Sequence, residues 1–489
     1  MTIKQLIKTL NGVCSYSDLP DLEVKGITSN SKLVGSNFVF VAIKGNRQDG
    51  NIFIKEAIEN GAKVIIASGL KTHGLSSSNN VSFIKVKDTR QVLAKIAAQF
   101  YGNPSFKVKV VGITGTNGKT TISYLIEALL KKAKRSTAVI GTVNYRFNDK
   151  LIPAKNTTPG PIELESMLAQ IAREKIDYAV MEVSSHALDQ DRTGGVNFHS
   201  AIFTNLTQDH LDYHGTLNKY FLAKARLFKE INPGAFAVIN ADDCYGSKIR
   251  KLTKAKVITY GLGEDADVTA RDIKSDCFRT QLRLISRQGE INLTTSLIGK
   301  HNIYNILAAA GWALKEGIEL SIIKSAFEDF THVPGRLERI DFPGNFSIFV
   351  DYAHTEDALK NVLSALRAIS GKRIIVVFGC GGERDKTKRP KMGKVVSELS
   401  DYSVITNDNP RSEDPKQIIK DILGGMPKDN YCIIPERFEA IKKSLAIAQA
   451  GDIVLIAGKG HEDYQILKDR VIDFDDRKVI RECLKSMNY

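Results

Sequence analysis

Residues 112–121 read GITGTNGKTT and predict, in this order, the end of a strand, a glycine-rich turn and the beginning of a helix. The overlapping run at residues 108–113, VKVVGI, is short and β-branched, as a buried parallel strand should be. Apolar residues then repeat at helical spacing: Ile122, Leu125, Ile126, Leu129 and Leu130. A strand, a turn and a helix joined in this way are typical of a parallel sheet.

The turn itself predicts a site for phosphate. Gly115 and Gly118 allow backbone N–H groups to approach an anion, and the helix N-terminus adds partial positive charge. Lys119 is placed to reach terminal phosphates, and Thr120 to ligate Mg²⁺. The strict phosphate-loop pattern requires glycine where this chain has Ile113, so a glycine turn that binds nothing is the alternative.

The length of 489 residues exceeds what one hydrophobic core usually organises, and we expect three domains. Hydrophobic residues make up 43% and charged residues 25%, as in ordinary soluble globular proteins. Breaker clusters, GNPS at residues 102–105 and HVPG at 332–335, indicate the boundaries. The predicted domains are residues 1–103, 104–332 and 333–489.

Strand and helix patterns alternate in all three predicted domains, which indicates an α/β protein. Besides the strand before the phosphate loop, strand candidates lie at residues 38–43, 64–67, 178–183, 201–204, 235–240, 347–350, 373–378, 402–405 and 453–457. We predict a central P-loop ATPase domain with a parallel sheet, flanked by a small N-terminal α/β domain and a C-terminal Rossmann-like domain.

The charge balance favours anionic small partners. The formal net charge is +14 and the pI is about 9.2, but the cations are scattered and the 8% of aromatic residues form no stacking platform. The 6 cysteines form no CxxC pair, which fits a reducing compartment. No apolar stretch reaches the roughly 18 residues of a membrane span. We expect a cytoplasmic monomer that binds neither nucleic acid nor membrane.

Two predicted strand ends carry polar side chains that suit a hard cation. Glu182 ends a buried-strand pattern, and Asp209 with His210 follows the next strand candidate. The carboxyl edge of a parallel sheet is where α/β folds bind ligands. The alternatives are a glutamate paired with a neighbouring cation and a histidine that is merely hydrogen-bonded in a loop.

Lys224 lies on the apolar stripe of a predicted helix. It shares one helical face with Leu217, Phe221 and Phe228. One interpretation is a side chain that extends along the helix edge to reach water. The other is a partly buried lysine whose lowered pKa permits chemistry on the neutral amine.

Together these segments resemble the Mur ligase family of ATP-dependent amide-forming enzymes, over nearly the whole chain. The matching motifs, in family order, are TGTNGKTT (114–121), MEVSSHAL (181–188), NLTQDHLDYH (205–214), AKARLF (223–228), GKHNIYN (299–305), VPGRLE (333–338), DYAHTEDAL (351–359), GCGGERDKTKRPKMG (379–393) and AGKGHEDYQ (457–465). DNPR at residues 408–411 resembles the form of the family that accepts meso-diaminopimelate rather than lysine. Meso-diaminopimelate differs from lysine by an extra carboxylate at its distal end, which Arg384 and Arg411 would bind. Each charge-assisted hydrogen bond would contribute about 1.5 to 3 kcal/mol of binding free energy. The alternative is that Arg411 caps a turn and contacts no ligand.

The resemblance also implies roles for individual residues. Lys119, Glu182, His210 and Lys224 would be catalytic, and Thr120, Glu182, His210 and carbamylated Lys224 would form the Mg²⁺ site. ATP would contact Gly115, Thr116, Asn117, Gly118, Lys119, Thr120, Thr121, Asn302 and Arg336. The UDP-muramoyl dipeptide would contact Ser29, Ser31, Asn46, Arg47, Gln48, Asn156, Thr157, Thr158, Ser184, Gln190 and Arg192. The incoming amino acid would contact Arg384, Asp408, Asn409, Pro410, Arg411, Gly458 and Glu462.

The activity that the resemblance implies is the addition of meso-diaminopimelate to a UDP-muramoyl dipeptide, with an acyl phosphate formed from ATP. Two alternatives stay open at the level of sequence. One is a lysine-adding ligase of the same family. The other, from a different class, is a basic P-loop regulator that binds nucleotide without ligase chemistry.

Overall fold

The computed structural model describes residues 1–10, 14–15, 19, 22–45, 48–69, 81–487 and 489, which fold around three main sheets. The strands of the first sheet are β1 (Cys14–Ser15), β2 (Gly26–Thr28), β3 (Phe38–Ala42), β4 (Ala62–Ala67) and β5 (Ser82–Val86). Their order is β1-β5-β4-β3-β2, parallel except for the pair of β1 with β5. The helices of this part are α1 (Ile3–Ile7), α2 (Ile54–Glu59) and α3 (Thr89–Phe100).

The second sheet is the largest, with 11 strands in the described residues. Its strands are β6 (Lys109–Thr114), β7 (Thr137–Ile140), β8 (Asn144–Phe147), β9 (Lys150–Pro153), β10 (Tyr178–Glu182), β11 (Phe198–Phe203), β12 (Phe236–Asn240), β13 (Lys256–Tyr260), β14 (Val268–Ser275), β15 (Thr280–Ser286) and β16 (Gly289–Thr295). Their order is β16-β15-β14-β13-β12-β11-β6-β10-β7-β8-β9. The sheet is parallel from β7 to β14, and antiparallel hairpins extend it at both edges.

Helices cover both faces of this central sheet. They are α4 (Lys119–Lys132), α5 (Pro161–Arg173), α6 (Ser185–Asp189), α7 (Leu211–His214), α8 (Leu217–Glu230), α9 (Cys244–Leu252), α10 (Lys300–Lys315) and α11 (Leu320–Glu328). Successive strand residues point to opposite faces, so Val111 joins the core under α4 and α10, while Val110 joins the core under α5 and α8.

The third sheet has 6 strands in the described residues and belongs to the C-terminal domain. Its strands are β17 (Glu338–Ile340), β18 (Ser347–Asp351), β19 (Ile374–Phe378), β20 (Tyr402–Ile405), β21 (Tyr431–Ile433) and β22 (Ile453–Ala457), in the order β17-β18-β22-β19-β20-β21. A small antiparallel pair, β23 (Tyr464–Ile466) and β24 (Val471–Asp473), follows. The helices are α12 (Glu356–Ile369), α13 (Lys388–Leu399), α14 (Pro415–Leu423), α15 (Arg437–Ala446) and α16 (Asp476–Ser486).

The predicted three-domain α/β architecture is confirmed, and the strand candidates at residues 402–405 and 453–457 coincide with β20 and β22. The edge hairpins of the central sheet were not predicted. The boundaries at residues 103 and 332 stay predictions. In the described part of the chain, none of the helices combines the length and apolar character needed to cross a membrane.

Candidate active site

Three neighbouring strands bring the predicted phosphate loop and the predicted acidic residue to one edge of the central sheet. In the register of β6, β10 and β11, Glu182 lies beside Ile113, and Phe203 beside Thr114. The carboxyl ends of these strands therefore meet, as expected for a ligand site in an α/β fold. A cavity of about 1000 Å³ opens there towards the C-terminal domain. Its lining includes predicted residues from the loop to that domain: Thr116, Asn117, Gly118, Lys119, Thr120, Thr121, Thr157, Glu182, Ser184, His210, Asn302 and Arg336.

The phosphate loop depends on two glycines with positive φ. Gly115 has φ +152°, and a side chain there would collide with the Thr204 hydroxyl. Gly118 has φ +89° and directly precedes α4, so a side chain there would collide with the Asn305 amide. The loop therefore keeps its backbone exposed to the cavity at the positive end of a 14-residue helix.

Lys119 lies within this loop and donates to two of its carbonyls. The distances from Nζ are 2.9 Å to the Gly115 oxygen and 2.8 Å to the Thr116 oxygen. Burial lowers its pKa, while Glu182 and Asp209 act in the opposite direction. The ammonium group is thus held at the loop by carbonyl oxygens and nearby carboxylates.

Glu182 is buried and is held by hydroxyl and amide donors. Its Oε2 accepts from the hydroxyls of Thr120 at 3.1 Å and Thr142 at 2.9 Å, and its Oε1 accepts from the Thr142 N–H at 2.9 Å. Gly141 leaves room for the carboxylate, because a Cβ there would lie 2.5 Å from Oε1. The hydrogen bonds to the Glu182 carboxylate thus come from neutral donors. This differs from the alternative interpretation, in which the glutamate pairs with a neighbouring cation.

Lys224 is buried in α8, with 1% of its surface exposed. Its Nζ donates to the Gly115 oxygen at 2.8 Å, the same oxygen that accepts from Lys119. Burial, and then the charge of Lys119, hold the pKa of Lys224 well below its ordinary value. The interpretation of a water-reaching side chain is therefore wrong, because the lysine is buried. Chemistry on its neutral amine stays a prediction, with which the lowered pKa is consistent.

His210 begins a short turn with φ +54° and faces the cavity beside Asp209 and His186. Its Nε2 lies 3.3 Å from Asp209 Oδ2, and burial lowers its pKa. In the described residues, no group of three or more His, Cys, Asp and Glu side chains is arranged to hold a metal ion. A hard cation would therefore need oxygen donors of other kinds, and Thr120 Oγ1, 3.1 Å from the Glu182 carboxylate, is one. Hydroxyl and carboxylate oxygens are among the ligands that Mg²⁺ prefers.

The residues predicted for the UDP-muramoyl dipeptide form one cluster next to Glu182 and a second, separate group. In the cluster, Thr158 Oγ1 donates to the Glu182 carbonyl at 2.8 Å, and Arg192 Nη1 donates to the Thr158 carbonyl at 3.0 Å. Gln190 Oε1 accepts from Arg192 Nη2 at 2.9 Å. The remaining members are Asn156, which is exposed, and Thr157 and Ser184, which are half-buried. The Ser184 hydroxyl caps α6.

The second group lies in the N-terminal domain. Ser29 and Gln48 are exposed, whereas Ser31 is buried and donates its hydroxyl to Glu56 Oε2 at 2.6 Å. The predicted contacts Asn46 and Arg47 lie outside the described residues. The structure thus leaves Ser29 and Gln48 available at the surface, but engages the Ser31 side chain within its own domain.

Arg336 and Asn302 line the same cavity as the phosphate loop but belong to different segments of the chain. Arg336 Nη2 donates to Thr120 Oγ1 at 3.3 Å, and its guanidinium lies 4.5 Å from the Tyr352 ring centre. Asn302 is buried at the start of α10, where its Nδ2 donates to the Ile298 carbonyl and its Oδ1 accepts from Asn305. Arg336 thereby joins the beginning of the C-terminal domain to the helix that follows the phosphate loop.

The residues predicted for the amino acid come together at the carboxyl edge of the third sheet. Asn409 Nδ2 donates to Glu462 Oε2 at 2.9 Å. Gly458 has φ +113°, and a Cβ there would lie 2.6 Å from Asp408 Oδ2, so glycine permits these loops to touch. Burial raises the pKa of Glu462, against which the charge of Lys459 acts. Two recognition loops, residues 408–411 and 458–462, are therefore in direct contact.

The two predicted arginines differ in their surroundings. Arg384 is exposed. Arg411 Nη1 donates to the carbonyls of Gly382 at 2.9 Å and Asn409 at 3.4 Å. Arg411 thus connects the loop that contains Arg384 with the loop that contains Pro410. These contacts agree in part with the alternative that Arg411 has a structural role and caps a turn. Its other two guanidinium nitrogens make no hydrogen bond within the described residues.

Family models match three consecutive parts of the chain: "Mur ligase family, catalytic domain" at residues 23–101, "Mur ligase middle domain" at 113–313 and "Mur ligase, glutamate ligase domain" at 335–460. A protein of Clostridium botulinum is 45% identical over 491 residues, covering 100% of both chains. Its name is UDP-N-acetylmuramoyl-L-alanyl-D-glutamate--2,6-diaminopimelate ligase. The chain belongs to the Mur ligase family.

Solved structures support the same assignment of fold. One, titled as a UDP-N-acetylmuramoyl-L-alanyl-D-glutamate--2,6-diaminopimelate ligase, has a TM-score of 0.71 and 32% identity and covers 100% of both chains. A MurF ligase of Thermotoga maritima, solved in complex with ADP, has a TM-score of 0.61 at 22% identity, with 96% of this chain and 99% of that chain covered. The second likeness concerns the fold alone.

Three residues of this Mur ligase site were missed by the sequence analysis: Thr142, Asp357 and Lys459. Thr142 lies two residues after the end of β7, so its position after a strand of the parallel sheet was a usable signal. Asp357 Oδ2 accepts from Asn117 Nδ2 at 2.8 Å and Thr207 Oγ1 at 2.9 Å, contacts between domains that no local pattern indicates. Lys459 lies in the motif AGKGHEDYQ at residues 457–465, but its burial was not evident from the sequence.

Proposed function

We propose that this protein is an ATP-dependent ligase that adds meso-diaminopimelate to UDP-N-acetylmuramoyl-L-alanyl-D-glutamate in peptidoglycan precursor synthesis. The observation that carries the proposal is the convergence of the phosphate loop and Glu182 on one cavity, with buried Lys224 hydrogen-bonded to the same loop. A nucleotide-binding regulator would need the phosphate loop but neither Glu182 nor Lys224. Two relatives named UDP-N-acetylmuramoyl-L-alanyl-D-glutamate--2,6-diaminopimelate ligase, 45% and 43% identical over essentially their whole length, support the choice of substrates.

The reaction is proposed to begin with ATP on the phosphate loop. A carboxylate oxygen of the substrate D-glutamate attacks the γ-phosphorus, the bond to the β-phosphate oxygen breaks, and ADP leaves. An amine of meso-diaminopimelate then attacks the acyl phosphate, and inorganic phosphate leaves as the amide forms. Lys119 and Arg336 offset phosphate charge during transfer, because both side chains lie at the loop.

Mg²⁺ would be held by Thr120, Glu182, His210 and Lys224 as its carbamate, and would supply charge compensation for the phosphates. The carbamate is proposed because Lys224 is buried, shares an acceptor with Lys119 and is biased towards the neutral amine that reacts with CO₂. The carbamate would add a second anionic group to the donor set, beside the Glu182 carboxylate.

The substrate positions are proposed from the resemblance to the family and are supported by the side-chain clusters near Glu182 and Glu462. The UDP-muramoyl dipeptide would bind along Asn156, Thr157, Thr158, Ser184, Gln190 and Arg192, with its uridine end towards Ser29, Ser31, Asn46, Arg47 and Gln48. The amino acid would bind at Arg384, Asp408, Asn409, Pro410, Arg411, Gly458 and Glu462. The acidic groups suit its distal ammonium, and the arginines suit its distal carboxylate. The proposed enzyme is a cytoplasmic monomer with domains at residues 1–103, 104–332 and 333–489.

Phosphate release, measured with the UDP-muramoyl dipeptide and each candidate amino acid in parallel, tests the proposal. We expect release to require both the dipeptide and meso-diaminopimelate, and L-lysine to be much the poorer substrate. A preference for L-lysine would show the lysine-adding ligase instead. Release that is independent of the dipeptide and of any amino acid would contradict ligase function altogether.

A further inference from the structure

Lys459 is a buried cation for which the proposed reaction has no role. It lies in the loop between β22 and β23, and its side chain is 0% exposed. Its Nζ donates to Glu462 Oε2 and to Asn409 Oδ1, both at 3.2 Å, and lies 5.5 Å from the Tyr464 ring centre. Burial of a lysine costs hydration, and hydrogen bonds to a carboxylate and an amide oxygen offset part of that cost, so these contacts hold the Lys459 amino group at the amino-acid site.

The charges around Lys459 separate into a compensated pair and an uncompensated group. Behind the site, buried Arg437 donates to both carboxylate oxygens of Asp476, at 2.8 and 2.7 Å. Towards the site lie the carboxylates of buried Asp408 and of Glu462, which is 14% exposed. Lys459 pairs with Glu462, so it removes about half of the negative charge that these two carboxylates present to a ligand.

The net charge of the ligand's far end determines how strongly this cation acts on it. The distal end of L-lysine is a lone ammonium group with charge +1, whereas that of meso-diaminopimelate carries an ammonium and a carboxylate with net charge 0. A fixed cation repels the lone ammonium group of L-lysine. In meso-diaminopimelate it repels the distal ammonium but attracts the distal carboxylate, so the two interactions partly cancel. A positive charge next to Glu462 therefore disfavours the lone ammonium more than the zwitterion.

We propose that Lys459 is a specificity-determining residue, whose charge makes the amino-acid site prefer a zwitterionic end group to a lone ammonium group. This inference rests on the proposed function, since it concerns how the same site chooses between meso-diaminopimelate and L-lysine. Arg384 and Arg411 would favour meso-diaminopimelate by binding its distal carboxylate directly. The charge of Lys459 would make a second contribution to this preference, through its contact with Glu462.

The test compares kcat/KM for the two amino acids in Lys459→Gln, which removes the charge but retains a hydrogen-bond donor. We expect the ratio of kcat/KM for meso-diaminopimelate to that for L-lysine to fall about tenfold. Where L-lysine is not turned over, its inhibition constant against meso-diaminopimelate incorporation should fall by a similar factor. Lys459→Arg keeps the charge and should keep the ratio, as should Lys468→Gln on the exposed turn between β23 and β24.

An unchanged ratio in Lys459→Gln, with both kcat/KM values lowered equally, would overturn the inference and leave Lys459 a structural role. If Lys459→Gln does not fold, Lys459→Met removes the charge with a flexible apolar side chain, and the same ratio decides. The double variant Lys459→Gln with Glu462→Gln restores the local charge balance and should return the ratio towards the wild-type value. Failure of the proposed function is a separate outcome, because the wild-type protein would then release no phosphate with either amino acid.

Discussion

At the scale of single residues, Lys224 has surroundings that are unusual for a lysine. Its side chain is buried within α8, and its ammonium shares the Gly115 carbonyl with Lys119. Two lysines on one acceptor repel each other, which favours the neutral amine on the more buried one. This arrangement has a chemical use if the amine forms a carbamate, and it costs stability if the lysine stays charged.

We therefore expect Lys224→Ala to lower kcat by roughly a hundredfold or more, since an anionic group near the phosphates would be lost. A small carboxylic acid such as acetate should restore part of the activity by occupying the space. Lys219→Ala, on the exposed face of the same helix, is the matched control and should act like the wild type. An intact-mass measurement of the wild-type protein under CO₂ tests the modification directly. Unchanged turnover in Lys224→Ala would show that the lysine has no part in the reaction.

The sequence indicated which residue types meet in the site, but not how each side chain is used. Helical spacing placed Lys224 beside Phe221 and Phe228, yet only the three-dimensional packing distinguishes a buried amine from one that reaches water. Arg411 was predicted to bind a carboxylate, and the structure adds its contacts with loop carbonyls. Such differences depend on atoms distant in the chain, to which local patterns are insensitive.

At the scale of elements, the loop after β22 approaches Asp408 because it contains glycine. Gly458 has φ +113°, and a Cβ there would lie 2.6 Å from Asp408 Oδ2. Gly458→Ala should raise KM for the amino acid about tenfold through strain and displacement of the loop, with KM for ATP unchanged. Gly451→Ala is the matched control, since Gly451 also has positive φ, at +85°, but a Cβ there meets only Lys372 side-chain atoms at 3.5 Å or more. Equal effects of the two variants on KM for the amino acid would contradict this account.

The packing of α3 against α5 predicts a pH dependence of stability. Glu165 in α5 is buried near Ala98 and Gly195, and its Oε2 has no hydrogen-bond partner among the described residues. Burial raises the pKa of Glu165 to about 8. In the unfolded chain the carboxyl loses its proton near pH 4.5, whereas in the folded chain it keeps the proton until about pH 8. The folded state therefore loses stability as pH rises through this window, by roughly 3 to 5 kcal/mol in total, and the loss stops growing above it.

Glu165→Gln removes this titration. Urea midpoints measured at pH 5, 7 and 9 should fall more steeply with pH for the wild type than for the variant. Glu163→Gln, two residues earlier and exposed, is the matched control and should follow the wild type. Parallel pH profiles for the wild type and Glu165→Gln would show that Glu165 does not titrate in this range.

The parallel core of the central sheet was predictable from local pattern, and its edges were not. β6, β10 and β12 each consist largely of an uninterrupted apolar run, which is typical of buried parallel strands. The hairpin strands β15 and β16 are only partly buried and contain both polar and apolar residues, so they lack the continuous apolar run by which the central strands were recognised. Their identity as strands depends on pairing with β14, which is a tertiary contact.

At the scale of the whole molecule, the cavity exists only because two domains face each other. Its lining joins the phosphate loop and Glu182 of the central domain to Arg336 and residues of α12. The motifs predicted which domains carry chemistry, but the sequence has no pattern that reports their relative placement. Contacts between the domains must therefore be read from the structure, and Asp357 makes two of them.

Asp357 lies in the first turn of α12 and accepts hydrogen bonds from Asn117 at 2.8 Å and Thr207 at 2.9 Å. Asn117 belongs to the phosphate loop, so this carboxylate connects the C-terminal domain directly to the nucleotide site. Closure that excludes water protects a reactive acyl phosphate, and loss of the contact should open the cavity. Asp357→Ala should lower kcat about ten- to a hundredfold, because hydrogen bonds to a charged group contribute about 1.5 to 3 kcal/mol each.

Phosphate released without amide formation provides a second measure of this contact. We expect the ratio of phosphate to amide product to stay near one in the wild type and to rise in Asp357→Ala, as water reaches the intermediate. Glu356→Ala removes the same charge one residue earlier in α12 and should leave both kcat and this ratio unchanged. If Asp357→Ala slows the reaction while product and phosphate stay equal, the residue supports catalysis without excluding water, and the closure argument is wrong.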